Sequence, residues 1–183
     1  MREEEVILVD KNDNPLGMIG KMEAHKKGLL HRAFSVFILN TKHELLIQKR
    51  AFTKYHSAGL WANTCCSHQR KGESSIQAGR RRLFEEMGFN TSLEELFSFV
   101  YKTSFDNGLI EHEFDHVLLG FSNDKPKTNP SEVDDFKWVN LEILSNDLKL
   151  HPEKYTVWFL IIFDRFYKFV TDKKFKGIKK ENL

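Results

Sequence analysis

The sequence predicts an α/β (α+β) sandwich, a mixed β-sheet with helices packed against it. Three observations predict it. Short β-branched or aromatic runs bounded by turn residues recur along the chain, two segments carry helical periodicity, and strands outnumber helices without alternating strictly with them. With 183 residues, 40% of them hydrophobic, the chain is long enough for one well-filled core and short for two. The expectation is a single domain over residues 1–183, with the basic segment 171–183 outside the core.

In chain order, residues 6–10, 34–40 and 44–50 read as strands. Asp13, Asn14 and Pro15 supply a turn after the first, and Thr41, Lys42 and His43 join the other two as a hairpin. Residues 74–87 carry the clearest helix: Ser74 and Gln77 match a capping box, Ile76, Gly79, Leu83 and Met87 recur at helical spacing, and Gly88 supplies a stop. Strands follow at 96–105, 111–121 and 135–139. A second helix runs from near Glu153 to about Val170, its start marked by Pro152 and its apolar side chains dense enough for extensive burial.

Composition excludes several classes. A formal charge of +2 is too small for a nucleic-acid binder, and the basic run from Lys173 to Lys180 reads as a solvated tail. The acidic start of the chain lacks the apolar stretch of a secretory signal, and the apolar run from Val157 to Phe163 is about a third of a membrane span. Two adjacent cysteines make no disulfide scaffold, so a reducing cytoplasm and no membrane are expected. Whether the chain is a monomer or a weak homodimer stays open.

Chemistry concentrates first between Trp61 and His68, which hold both cysteines beside an imidazole. In an extended segment Cys66 and His68 share one face and Cys65 points to the other, so one thiol is singled out. The competing reading is a buried cysteine acting as a small apolar side chain. Glu111 and Glu113 share a strand face, where two carboxylates repel unless a cation or a shared proton relieves them; the bland alternative is a solvated edge. His25, His31 and His68 are candidate partners, and with the carboxylates they would make an N/O site suited to Mn²⁺, Mg²⁺, Fe²⁺ or Zn²⁺. Spacing alone does not bring them together. On the helix, Arg82 and Glu86 are one turn apart, either a surface ion pair or a carboxylate on a metal beside a cation for an anionic ligand.

Glu73, Arg81, Leu83, Glu85, Glu86 and Phe89, aligned on Gly88, resemble the Nudix box. The chain departs from it at Ser67, in place of a glycine, and at Arg82, in place of a metal-binding glutamate, which weakens the case for pyrophosphate hydrolysis. With Trp61, Asn63, Cys66 and His68, with Glu111 and Glu113, and with Lys21, Ala24 and His25, residues 31–35, Arg50, Ala51, Tyr101 and Trp158 in order, residues 3–170 resemble the type I isopentenyl diphosphate:dimethylallyl diphosphate isomerases. The resemblance implies a Nudix-like sandwich with helices on both sides of the sheet, and an isomerase working through a tertiary carbocation. It implies Cys66 and Glu113 as proton carriers on opposite faces of a small diphosphate, assisted by Tyr101. It further implies Mn²⁺ or another divalent metal, Zn²⁺ or Fe²⁺ included, on His25, His31, His68, Glu111 and Glu113. Mg²⁺ would bridge Glu86, the Cys66 carbonyl and the diphosphate. Lys21, Arg50, Lys54 and Arg82 would contact phosphate, and Trp158 would face the hydrocarbon. A Nudix pyrophosphohydrolase and a metal-stabilised binding module are the rival readings.

Overall fold

The computed structural model describes residues 4–172, in which nine strands form one bifurcated sheet and four α-helices cover it. At its centre lies β3 (His31–Leu39), paired in parallel along its whole length with β8 (Ile110–Phe121). The outer edge of β8 carries β7 (Leu93–Ser104), antiparallel. The other edge of β3 is shared by three partners in turn. β1 (Glu5–Val9) meets it at His31, β6 (Cys65–Ser67) over Phe34–Val36, and β4 (Glu44–Arg50) only at Leu39. β2 (Pro15–Gly20) extends the sheet beyond β1, and β4 is flanked by β5 (Trp61–Ala62) and β9 (Val133–Asn140). Because β3 and β4 touch only at one end, the sheet splays open between them, and the functional pocket lies in that opening.

The alternation of side chains along the central strands builds two cores, one on each face. Phe34, Val36 and Ile38 of β3, Leu46 of β4 and Leu118 of β8 face the helix α2 (Ser75–Met87), together with Cys65. Phe37 and Leu39, Leu45 and Ile47, and Val117 and Leu119 face the opposite way, onto α3 (Leu141–Leu150) and α4 (Val157–Thr171). On α4, Trp158, Phe159, Ile162, Phe163 and Phe166 are nearly fully buried, and each such side chain contributes roughly 1.5–3 kcal/mol. Cys66 packs on the α4 side, so the two thiols do lie on opposite faces.

Several boundaries differ from the sequence expectation, each for a local reason. The last helix begins at Val157, not near Glu153: Pro152–Lys154 form a 3-10 turn, after which the Thr156 amide donates to the Trp61 carbonyl at 2.9 Å and keeps the chain extended beside β5. It ends at Thr171 with Val170 buried; of the segment 171–183 expected outside the core, residues 173–183 lie outside those described. α3, which the sequence reading passed over, is capped by Asn140, whose side chain accepts from the Glu142 and Ile143 amides. α1 (Lys21–Lys27) has only seven residues, too few for a periodic pattern, and β2 has no buried face to mark it.

α2 follows its sequence signals closely. The Ser74–Gln77 capping box is formed in both directions, at 3.2 and 2.9 Å. Gly79 lets the helix approach the sheet, since a Cβ there would lie 2.7 Å from Leu118 Cδ1. Gly88 ends the helix at φ 75°, a left-handed conformation, and a Cβ there would lie 2.5 Å from the Lys127 carbonyl oxygen. Gly88→Ala therefore combines the left-handed penalty with a backbone clash. It should lower the unfolding free energy by about 2 kcal/mol or more in urea titrations, and a change below about 0.5 kcal/mol would contradict the packing described.

Candidate active site and metal centre

Strand register assembles the centre. Across β7, β8 and β3, Tyr101 pairs with Glu113 and Glu113 with His31, so three functional side chains stand in one row. Four residues along β3, Ser35 pairs with Cys66 of β6, and His68 follows directly after that short strand. α1 supplies His25 on its buried side. Its left-handed cap at Gly28, φ 61°, turns the chain straight back into β3, bringing the His25 and His31 rings to 4.9 Å. That turn explains the six-residue spacing of the two histidines.

One ligand atom from each of His25, His31, His68 and Glu113 lies within 4.8 Å of the others, and all four residues are buried. The donor set suits a divalent metal, and the tautomers favour it. His25 Nδ1 lies 2.7 Å from the Lys21 carbonyl and His31 Nδ1 2.8 Å from the Leu29 carbonyl. A carbonyl only accepts, so both Nδ1 atoms carry hydrogen and both Nε2 lone pairs are free to coordinate. His31 Nε2 and His68 Nδ1 are buried without a hydrogen-bond partner among the described residues. Burial pushes the pKa of His25 down and that of His68 down to about 4, so these two imidazoles are neutral, as metal ligation requires.

The two strand carboxylates take opposite states. Burial would raise the Glu113 pKa, but its hydrogen-bonding neighbours outweigh burial and hold it well below the ordinary range; His68 Nε2 lies 3.1 Å from Glu113 Oε1 and can donate to it. Burial and the adjacent Glu113 charge push Glu111 well above that range. Two unit charges about 4 Å apart repel by roughly 4 kcal/mol at an effective dielectric near 20, about what it costs to keep an ordinary carboxyl protonated at neutral pH. Burial tips that balance. The Tyr101 hydroxyl lies 2.7 Å from Glu113 and 3.0 Å from Glu111, so it donates to the ionised carboxylate while Glu111 keeps its proton. Glu111, expected among the histidines, stands apart from that cluster. Its other oxygen is 3.4 Å from Nε2 of His56, whose pKa burial lowers to about 3.

The cluster forms the floor of a pocket that also exposes Cys66, Trp158, Arg50, Lys21, Lys54, Arg82 and Glu86. Cys66 is half-buried, and burial pushes its thiol pKa up against the opposing pull of Arg50, so it rests as a neutral thiol rather than near its titration point. Trp158 donates to Asn63 Oδ1 at 3.2 Å and has the Arg50 guanidinium 5.1 Å from its ring. Arg82 reaches Glu86 at 2.6 Å, but this is no surface pair, because Glu86 is buried and also accepts from Gln48 Nε2 at 2.8 Å and from the Cys65 thiol at 3.4 Å. Arg81 grips Glu73 with two hydrogen bonds, at 2.7 and 2.8 Å, and braces the loop before α2.

Sequence reasoning passed over His56, Gln48, Glu4 and Glu132, all of which line this pocket. Gln48 was detectable, as the polar residue two places after Leu46 on a buried face of β4. His56, Glu4 and Glu132 lie outside regular elements, where periodicity carries no signal.

A mixed sheet flanked by helices, with the Glu73–Arg81 brace and a buried carboxylate on α2, defines a Nudix domain, and the NUDIX domain family matches residues 29–159. A crystal structure titled DR0079 from Deinococcus radiodurans shares the fold, with a TM-score of 0.75 at 20% identity over 90% of this chain and 99% of that one. Two relatives are more similar in sequence. Isopentenyl-diphosphate Delta-isomerase 2 of Aromatoleum aromaticum is 53% identical over 163 residues, covering 89% of this chain and 86% of its own length. The protein of the same name from Photorhabdus laumondii is 53% identical over 157 residues, covering 86% and 89%. The chain belongs to the isopentenyl-diphosphate Delta-isomerase family of Nudix proteins.

Nuclear magnetic resonance of the metal-stripped protein tests the electrostatics. The His25 and His31 rings should be Nδ1–H tautomers, and the His68 ring should stay neutral down to about pH 4. Since the folded pKa of His68 lies below the unfolded value, its contribution to stability is complete above about pH 6.5 and is lost as pH falls toward about 4. A His68 midpoint near 6.5 would contradict the buried, neutral cluster.

Proposed function

We propose that this pocket interconverts isopentenyl diphosphate and dimethylallyl diphosphate by adding a proton to the alkene on one face and removing one from the neighbouring carbon on the other. The observation that carries the reading is the placement of a neutral Cys66 thiol and an ionised Glu113, backed by Tyr101, around one pocket with an aromatic wall and a cationic end. Addition of a proton gives a tertiary carbocation, and loss of a proton from the adjacent carbon regenerates a double bond one position along, so atoms and charge balance. Cys66 starts with a proton and Glu113 without one. Turnover leaves Cys66 without its proton and Glu113 with one, so a proton must pass from Glu113 back to Cys66 before the next cycle, while the Tyr101 hydroxyl holds Glu113 in place between the strands.

The cation needs surroundings that neither attack it nor admit water. Trp158 offers a ring face that attracts positive charge, and His56, stacked on Phe105 at 4.9 Å and edge-on to Trp158 at 5.6 Å, closes the wall beside it. His25, His31, His68 and Glu113 would hold a divalent metal, Mn²⁺, Zn²⁺ or Fe²⁺, with Glu111 adjoining. Glu86 with the Cys66 carbonyl would hold Mg²⁺ beside the diphosphate. Metal at these positions supplies fixed positive charge that neutralises phosphate and holds Glu113 in place. Lys21, Arg50, Lys54 and Arg82 would grip the diphosphate. Arg82 stands where a hydrolase would carry a carboxylate, which favours keeping the diphosphate intact. Among the described residues no helix is long and apolar enough to cross a membrane.

The test is direct. Purified protein supplied with isopentenyl diphosphate and Mg²⁺ or Mn²⁺ should yield dimethylallyl diphosphate, followed by proton resonance; no product with any divalent metal would overturn the proposal. Cys66→Ala should reduce turnover by about 10³-fold or more, in line with the loss of a general acid or base. Cys65→Ala, which removes a packing thiol and one weak hydrogen bond to Glu86, should stay within about tenfold of the parent. Equal losses would remove the distinction between the two thiols.

A further inference from the structure

Glu132 stands at the cationic end of the pocket and has no part in the chemistry above. Its Oε2 lies 2.5 Å from Lys54 Nζ and 3.2 Å from Arg82 Nη2, so one carboxylate occupies two of the four cations assigned to phosphate. Its main chain is fixed on both sides. The Glu132 carbonyl accepts from the Ala51 amide at 3.0 Å, its own amide donates to the Asn129 carbonyl at 3.0 Å, and the Asn129 amide donates to the Glu86 carbonyl at 2.9 Å. The turn from Asn129 to Glu132 thus ties the end of α2, which carries Arg82, to the residue that follows β4 and leads to Lys54. The carboxylate is held where it must interact with both cations. Burial would raise its pKa, but Lys54 and Arg82 hold it below the usual carboxylate range, so it is charged.

The pattern repeats across the pocket. Glu4 engages Lys21 at 2.9 Å, and Glu86 engages Arg82 at 2.6 Å. Arg50 instead donates to a neutral group, the His56 carbonyl at 3.3 Å. Glu85 also engages Arg82, at 3.0 Å, so four cations face four carboxylates, and an arriving anion must compete with charges already in place. A ligand with few charges gains too little from the exchange. A diphosphate, with more charge and more oxygens, can replace every contact it displaces.

We propose that Glu132 is a specificity-determining residue, an internal counter-anion on Lys54 and Arg82 that makes the pocket select a diphosphate over a monophosphate. The proposal rests on reading the pocket as a diphosphate site, and a structural brace would behave in the opposite way. Removing a brace would let Lys54 and Arg82 wander and weaken anion binding, whereas removing a competitor strengthens it, most for the weaker anion.

Calorimetric titration of the full chain with inorganic phosphate and with inorganic pyrophosphate, with and without Mg²⁺, separates the two. Glu132→Gln should bind phosphate about fivefold more tightly and pyrophosphate about twofold more tightly, as expected for release of a partly exposed ion pair, and Glu132→Asp should resemble the parent. Circular dichroism monitors folding, and Glu132→Ala carries the same expectation should the glutamine variant not fold. Unchanged or weaker phosphate binding in a folded variant, with the parent still binding pyrophosphate, overturns the selector alone. A parent that binds neither anion overturns both the selector and the diphosphate site.

Discussion

The buried Glu113 carboxylate is the constraint on which the rest of the site depends. A charge taken out of water is costly unless its surroundings replace the lost hydration. Here His31 and Tyr101 stand beside it in one cross-strand row, Tyr101 on Oε2 and His31 facing Oε1, and His68, just past β6, reaches the same Oε1. Satisfying this one group requires the parallel pairing of β3 with β8, the antiparallel pairing of β7 with β8, and the approach of β6 to β3. The fold thereby gathers imidazoles that leave ring nitrogens unpaired, and that is the arrangement a divalent metal completes.

Around that group the pocket sorts charge by region. At the floor, Glu111 remains protonated because Glu113 is not, and Tyr101 connects the two. Toward the rim, cations and carboxylates are interleaved, with Arg82 touching Glu85, Glu86 and Glu132. Between them the wall is aromatic, with His56 in contact with both Trp158 and Phe105. A reactive hydrocarbon cation and a polyanionic group need incompatible surroundings, and the splay between β3 and β4 gives each its own part of one opening.

Much of this was legible in the sequence, and what was not has physical reasons. The face assignment of Cys65 and Cys66 follows from strand alternation alone and holds, as do the capping box at Ser74 and the stop at Gly88. The metal cluster was legible only through the family resemblance, because His25, His31, His68 and Glu113 come from four separate segments whose meeting depends on register. Glu111 illustrates the limit. Strand alternation shows that it shares a face with Glu113, but not that Tyr101 and His56 come within reach of it. The resting thiol of Cys66 was likewise invisible, since only the three-dimensional burial raises its pKa. α1 and the loop that carries His56 were too short or too irregular to leave a periodic trace.

The most direct measurement is the metal stoichiometry of the purified chain by elemental mass spectrometry, alongside isomerase turnover, for the parent and for His31→Asn and Glu113→Gln. If the buried cluster holds the metal that the reaction requires, the parent carries about one tightly bound divalent ion per chain, and each substitution weakens its retention by about ten- to a hundredfold or more while turnover collapses with it. A parent that isomerises isopentenyl diphosphate after complete metal removal, or variants that lose turnover while retaining the ion as tightly as the parent, would contradict it.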